Sequence, residues 1–125
     1  MIKLSFCLIR KDHLSRQEFQ DYWINNHSPL VKSVSKDLKI LKYHQIHCQS
    51  FDFLSGARRA RVPEGALPHD YDGIAELCWE SWEIFKGLAG DKMAQEAGKI
   101  LLEDEAKFIN FKKSPLMVSD IKEIF

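Results

Sequence analysis

The chain has 125 residues, 45% of them apolar, which is enough for one domain with a hydrophobic core and excludes an intrinsically disordered protein. Its 18 basic and 18 acidic residues cancel, so no net positive charge favours nucleic acid or an anionic membrane surface. No stretch approaches the roughly 20 apolar residues that span a bilayer, and the N-terminus does not resemble a signal peptide. We therefore expect a single cytoplasmic domain over residues 1–125 whose three separated cysteines stay reduced.

The first predicted elements are a strand and an amphipathic helix. Residues 2–9 alternate between two faces, as in a strand, and Ser15 and Glu18 then match the S-x-x-E capping box of a helix start. Pro29 lacks an amide hydrogen and disfavours helical angles for the residue before it. We therefore expect a kink or a restart at His27–Ser28. The buried stripe of this helix is predicted to contain Phe19, Tyr22, Trp23, Asn26, His27, Leu30 and Val34.

The remaining elements complete a βαββαβ order. Further strands are predicted over residues 40–48, 71–79 and 116–125, and a longer helix starts at Asp91. Its stripe is predicted to contain Met93, Ala97, Ile100, Leu101 and Phe108. The order is typical of an α+β, ferredoxin-like plait, in which a four-stranded antiparallel sheet carries its helices on one face. The connection at about residues 49–70 is long enough to indicate a functional or mobile loop.

The uncovered face of that sheet is expected to mediate dimerisation. Asp72, Ile74, Glu76 and Cys78 share one side of the third strand, which is a mixed and not a plainly polar surface. An exposed face of this kind needs a partner, so we expect a homodimer in which two sheets pack face to face.

Polar side chains recur within two of the predicted strands. Tyr43, Gln45 and His47 share one face of the second strand, and Asp72 and Glu76 share one face of the third. Because a buried polar group without partners costs roughly 1–3 kcal/mol, these five residues indicate a lined cavity. The alternative is a solvated outer face.

His27 has two interpretations. An imidazole on an aromatic stripe at a helix break suits a base held inside a pocket, but it also suits a structural buried histidine. Tyr22 and Trp23 are likewise either pocket walls or ordinary core. No spacing of His, Cys, Asp and Glu resembles a metal site, and no phosphate-binding loop occurs, so we expect neither a metal nor another cofactor.

Several motifs along the chain resemble those of the EthD family of dimeric α/β-barrel proteins. They are Arg10-Lys11, Leu14-Ser15 with Glu18-Phe19, Tyr22-Trp23 with His27, Pro29 and Leu30, the Tyr43/Gln45/His47 pattern, the segment 71–77, and 103–105 before Phe108. The resemblance covers nearly the whole chain. It implies a homodimer with a pocket in each subunit between sheet and helices, and proton transfer on a small, mostly apolar, often aromatic molecule without metal or nucleotide.

The resemblance also implies candidate functions. Members of the group include an accessory protein of ether degradation and polyketide-tailoring decarboxylases and dehydratases, and the wider superfamily adds cyclases and monooxygenases. We therefore expect a cofactor-independent enzyme that uses acid–base catalysis on a small hydrophobic, aromatic or polyketide-like metabolite. The alternatives are a non-catalytic ligand-binding or accessory protein of an oxygenase system, and an assembly module without ligand.

The predicted catalytic residues are two histidines and a carboxylate. His27 would be the base, because an imidazole titrates near pH 7. His47 would be a second acid or base, or would polarise a carbonyl, while Asp72 or Glu76 would orient an imidazole. The predicted substrate-binding residues are Tyr22, Trp23, Tyr43, Gln45, Glu76 and Phe108.

Overall fold

The computed structural model describes residues 1–50, 52–63 and 70–125. Four antiparallel strands form one sheet in the order β2-β3-β1-β4, which confirms the predicted ferredoxin-like plait. The strands are β1 (Ile2–Leu8), β2 (Lys42–His47), β3 (Gly73–Trp79) and β4 (Leu116–Asp120).

Strand β4 is shorter than predicted. The register pairs Asp120 with Ile2, the first residue of β1. Residues 121–125 therefore extend beyond the start of β1, where almost no neighbouring strand remains to pair with them. Ile124 and Phe125 are accordingly exposed. The predicted strand to residue 125 is therefore wrong in its second half.

The helical elements lie between these strands. Those in the described residues are α1 (Arg16–Tyr22), a π-helical turn (Trp23–His27), α2 (Ser28–Val34), α3 (Ser55–Arg59), α4 (Trp82–Gly87) and α5 (Lys92–Glu105), together with three short 3₁₀ turns. The predicted capping box is confirmed, because Ser15 Oγ accepts from the Glu18 amide and Glu18 Oε1 accepts from the Ser15 amide. Asp91 caps α5 through the amides of Met93 and Ala94.

The predicted restart before Pro29 is confirmed and has a definite form. The Ser28 amide donates to the Trp23 carbonyl five residues back, which closes a π-helical turn, and α2 begins at Ser28 with Pro29 in its first turn. Such single π turns are frequent at functional sites. Trp23 and His27, at the two ends of the turn, are both buried.

The predicted stripe of α5 is partly wrong. Met93 and Ile100 are exposed, and Phe108 lies three residues beyond the end of the helix. The buried side chains of α5 are Ala94, Ala97, Leu101 and Asp104, which follow the i+3 and i+4 spacing of one helical face.

The connection at 49–70 is not devoid of structure. It contains a 3₁₀ turn over Asp52–Leu54 followed by α3, whose side chains are exposed. The part of the loop prediction that falls on residues 51 and 64–69 lies outside the described residues. Over the ranges that are described, no helix is long and apolar enough to cross a membrane.

The two faces of the sheet differ as the pleat requires. Gly73, Ala75, Leu77 and Trp79 share the helix-covered face with alternate residues of β1 and β2. Gly73 allows the Trp23 side chain to pack directly on the backbone of β3, because a Cβ atom at this position would overlap the six-membered ring of Trp23. Ile74, Glu76 and Cys78 lie on the opposite face, against which none of the described helices packs.

Candidate functional site

A cavity of about 500 Å³ lies between the helix-covered face of the sheet and the helices. Its size is typical of small-molecule sites. Its walls are almost entirely aliphatic and aromatic, and they come from all four strands, the π-helical turn, α2, α4, α5 and the segment between α5 and β4. Among the described residues that line it, the titratable ones are His27, Tyr43 and Glu105.

His27 is held by a carboxylate of α5. Its Nδ1 lies 2.7 Å from Oδ2 of Asp104, and both side chains are buried. Burial lowers the pKa of His27, although the hydrogen bond and the charge of Asp104 oppose this shift. The imidazole is therefore neutral at pH 7.

The pairing with Asp104 also fixes the tautomer of His27. Burial raises the pKa of Asp104, but hydrogen bonds from Tyr22 and His27 outweigh burial and leave its pKa below the usual value. An ionised carboxylate only accepts hydrogen bonds, so Nδ1 carries the hydrogen and Nε2 keeps its lone pair. Within the described residues, Nε2 has no hydrogen-bond partner.

Asp104 and the imidazole are fixed by neighbouring groups. The Tyr22 hydroxyl donates to Asp104 Oδ1 over 2.6 Å, and Lys107 Nζ lies 3.4 Å from the same oxygen. Burial and the bond to this carboxylate raise the pKa of Tyr22 to about 12. Phe108 packs edge-on to the His27 ring at 5.2 Å and contacts Tyr22 at 5.0 Å. Tyr22 and Phe108 thus surround the dyad and are not in the cavity lining.

Glu105, the next residue of α5, has a different environment. It lines the apolar cavity, and in the described part of the chain its carboxyl has no hydrogen bond or ion pair. Burial, assisted by the negative charge of Asp104, raises the pKa of Glu105 to about 7. This carboxyl therefore holds its proton in mildly acidic solution.

The predicted trio on β2 forms a hydrogen-bonded chain behind the cavity. Gln45 Nε2 donates to the Trp23 carbonyl over 2.9 Å and to the Tyr43 hydroxyl over 3.0 Å. His47 Nε2 lies 3.0 Å from Gln45 Oε1, and its ring stacks on that of Trp23 at 4.8 Å. Burial lowers the pKa of His47 and raises that of Tyr43. Trp23 and Tyr43 line the cavity, whereas Gln45 and His47 do not.

The predicted positions of the two carboxylates on the third strand need correction. Asp72 lies just before β3, fully buried, and its carboxylate accepts from the Arg10 amide over 2.8 Å and from Arg16 Nε over 3.1 Å, with a further ion pair to the Arg10 guanidinium. Glu76 lies on the uncovered face and pairs with Lys3. The five polar strand residues therefore do not share a cavity.

The carboxylate that orients His27 is Asp104 and not Asp72 or Glu76. Asp104 and Glu105 fell within the resemblance but sequence reasoning gave neither a role, although Asp104 follows Ala97 and Leu101 on one helical face. That spacing was the available signal for an inward-facing carboxylate. No group of three or more His, Cys, Asp or Glu side chains that could hold a metal occurs in residues 1–50, 52–63 and 70–125.

Comparison with known proteins identifies the family. The family model described as the EthD domain matches residues 11–112. A protein named decarboxylase from Claviceps purpurea (strain 20.1) is 26% identical over 96% of this chain and 82% of its own length. An EthD family protein from Bacillus halodurans C-125 has a similar structure, with a TM-score of 0.61, 16% identity and coverage of 98% and 99% of the two chains.

A dimeric protein of ferredoxin-like fold from Bacteroides fragilis NCTC 9343 also matches in structure, with a TM-score of 0.55, 12% identity and coverage of 96% and 95%. These two structural matches show the shared fold. The EthD model spans most of the chain, and the chain therefore belongs to the EthD domain family.

Proposed function

We propose that this chain is a cofactor-independent enzyme that transfers protons on a small hydrophobic, aromatic or polyketide-like molecule bound in the cavity. The observation that carries the proposal is the dyad: His27 lines the cavity, while Asp104 occupies Nδ1 and leaves Nε2 as a free acceptor. A neutral imidazole in this tautomer is a suitable base near pH 7.

The roles follow from the contacts. His27 Nε2 takes a proton from a C–H or O–H group of the ligand, and the ionised Asp104 stabilises the imidazolium that forms. Tyr22 and Phe108 hold the ring in place, and the apolar walls bind the hydrophobic body of the ligand. The candidate reactions are decarboxylation, dehydration, cyclisation and oxygenation. Decarboxylation is supported by the name of the Claviceps purpurea relative.

We further propose that the enzyme is a cytoplasmic homodimer. The uncovered face of the sheet carries Ile74 and Cys78 beside the pair of Lys3 and Glu76, and the Bacteroides fragilis protein of the same fold is dimeric. The free state of the three cysteines fits a reducing compartment.

Proton transfer can be tested before the natural substrate is known. The probe is 2-acetylnaphthalene, a neutral aryl ketone chosen for the apolar lining of the cavity, whose methyl hydrogens are weakly acidic. Exchange of these hydrogens for deuterium from D₂O, followed by NMR, measures proton abstraction directly. Wild-type protein should accelerate the exchange, and His27→Asn should lower the rate per folded molecule by roughly 100-fold or more.

The same experiment separates the rival functions. Binding of the ketone with no exchange above the His27→Asn background would favour a carrier or accessory protein over an enzyme. A cavity that binds neither this ketone nor related aromatic compounds would favour an assembly module. His13→Asn is the matched control, because His13 is exposed and does not line the cavity.

A further inference from the structure

The titratable groups of the cavity include one that the His27–Asp104 dyad does not use. Glu105 lines the cavity beside the dyad, yet its carboxyl has no hydrogen bond or ion pair within the described residues. Its neighbour Asp104 is fully engaged with Tyr22 and His27. The Glu105 carboxyl is therefore available to a ligand in the cavity.

The protonation state of Glu105 determines what it can bind. Burial raises its pKa to about 7, so in mildly acidic solution the carboxyl is neutral and donates one hydrogen bond. A neutral carboxyl in an apolar pocket can donate to a ligand oxygen and stabilise negative charge that develops there. No Arg or Lys side chain belongs to the described lining of the cavity, so nothing there offers a salt bridge to an anionic ligand.

The other polar groups of the cavity complement such a donor. His27 Nε2 is an acceptor, because Nδ1 carries the hydrogen that is bonded to Asp104. The Tyr43 hydroxyl accepts from Gln45 and keeps its own hydrogen. The cavity therefore offers one base and two neutral donors to a ligand that has an acceptor oxygen next to an acidic C–H group.

We infer that Glu105 is the group that donates a hydrogen bond to the carbonyl oxygen of the ligand, and that the site takes neutral hydrophobic ketones. This inference rests on the proposed function and names its substrate class. In the reaction, His27 Nε2 takes the proton from the carbon next to the carbonyl, and the C–H electron pair becomes the C=C bond of an enolate. The carbonyl π pair moves to the oxygen, where the hydrogen bond from Glu105 stabilises the charge; return of the proton to carbon regenerates both groups.

The test compares two probes of nearly the same shape. The ketone 2-acetylnaphthalene has an acceptor oxygen, and 2-isopropenylnaphthalene has a CH₂ group in its place. At pH 6, Glu105→Leu should bind the ketone about tenfold more weakly than wild type, because one hydrogen bond is lost. Glu105→Gln, which keeps an N–H donor, should bind it within about twofold of wild type. The hydrocarbon should bind all three proteins alike.

Glu103→Leu is the matched control for Glu105→Leu, since Glu103 is exposed on the same helix, and it should leave both affinities unchanged. Equal losses for the two probes in Glu105→Leu would show that the side chain only packs, and would overturn the inference. Unchanged ketone affinity in Glu105→Leu, or a tenfold loss in Glu105→Gln, would also overturn it.

A second measurement tests the inference even if the Glu105→Leu protein does not fold. Between pH 6 and 9, ketone affinity of the wild type should fall as Glu105 ionises, whereas Glu105→Gln should show no such fall. The Glu105→Gln protein also controls for the other groups facing the cavity, since it retains all of them: His27, whose pKa burial lowers, Tyr43, whose pKa burial raises above 10, and Asp104 beside them, whose pKa is lowered by its hydrogen bonds. Identical pH profiles in the two proteins would refute the inference. The binding tests do not involve the deuterium exchange by His27, so either claim can fail while the other stands.

Discussion

The most informative perturbation of the site is Asp104→Asn, which removes one charge and changes almost no volume. Asp104 accepts from His27 Nδ1 over 2.7 Å with one oxygen and from the Tyr22 hydroxyl over 2.6 Å with the other. An amide has a single acceptor oxygen, so the variant cannot accept from both groups. If its NH₂ group faces His27, Nδ1 must become the acceptor, the hydrogen moves to Nε2 and the base is lost.

The opposite orientation of the amide also impairs the site. It preserves the tautomer of His27 but leaves no negative charge beside the imidazolium that forms during proton transfer. We expect the deuterium-exchange rate to fall by roughly 10²- to 10⁴-fold in either orientation. Because a buried hydrogen bond to a charged group is lost, the free energy of unfolding should fall by about 1.5–3 kcal/mol.

Three measurements check this reasoning. The exchange rate per folded molecule gives the catalytic effect, and nitrogen NMR of the imidazole reports which ring nitrogen carries the hydrogen. Carbon NMR of Glu105 should show a lower pKa in the variant, because the charge of Asp104 raises it in the wild type. An exchange rate within twofold of wild type in a folded Asp104→Asn protein would refute the role assigned to the dyad. Glu103→Gln, an exposed change on the same helix, is the control.

Three further predictions concern packing, pH and assembly. Gly73→Ala should lower the free energy of unfolding in urea by about 1–3 kcal/mol, because the new Cβ atom would overlap the buried Trp23 ring. Gly56→Ala should cause no such loss, because a Cβ atom there has nothing within 4 Å. Equal losses in the two variants would contradict this packing. The pKa of Glu105 rises from 4.5 in the unfolded chain to about 7 on folding, so its stabilising contribution is complete below pH 4.5 and is lost as the pH rises through 7. Between pH 4.5 and 8, the free energy of unfolding of Glu105→Gln should therefore rise relative to that of wild type by at most about 3 kcal/mol. A difference between the two proteins that does not change with pH would contradict the assigned pKa. Sedimentation at micromolar concentration should give about twice the chain mass of 14.5 kDa, and a folded monomer would exclude the dimer.

The fold was predictable because local signals and the global pattern agree. The capping box of Ser15 and Glu18 determines where α1 begins, and the alternation in β1 and β3 determines which side chains face the helices. The position of His27 on the buried stripe also followed from helical spacing alone. The π-helical turn itself was not predictable, since it depends on which carbonyl the Ser28 amide reaches, and only the disruption at Pro29 is local.

The partner of His27 was missed for a physical reason. An acidic residue on a helix is usually solvated. Asp104 is buried because α5 approaches α1 and the π-helical turn, which supply Tyr22 and His27 as donors. Asp72 shows the converse case. Its predicted place inside the third strand suggested a cavity, but Asp72 lies just before β3, where Arg10 and Arg16, which are distant in sequence, satisfy its carboxylate.

Two adjacent carboxyl groups of α5 lie in opposite environments, as the two halves of the proposed acid–base reaction require. Asp104 receives two hydrogen bonds and stays ionised, so it can orient His27 and stabilise its charged form. Glu105 lies one position farther along α5, where an α-helix turns by about 100°, and this rotation directs it to the apolar cavity, where burial and the neighbouring charge favour its neutral form. The two environments are linked in one direction, because the charge of Asp104, which accepts from His27, also raises the pKa of Glu105. Pairs of titratable groups whose pKa values are driven apart in this way are typical of acid–base sites, which is the physical basis for assigning the base to His27 with Asp104 and the hydrogen-bond donor to Glu105.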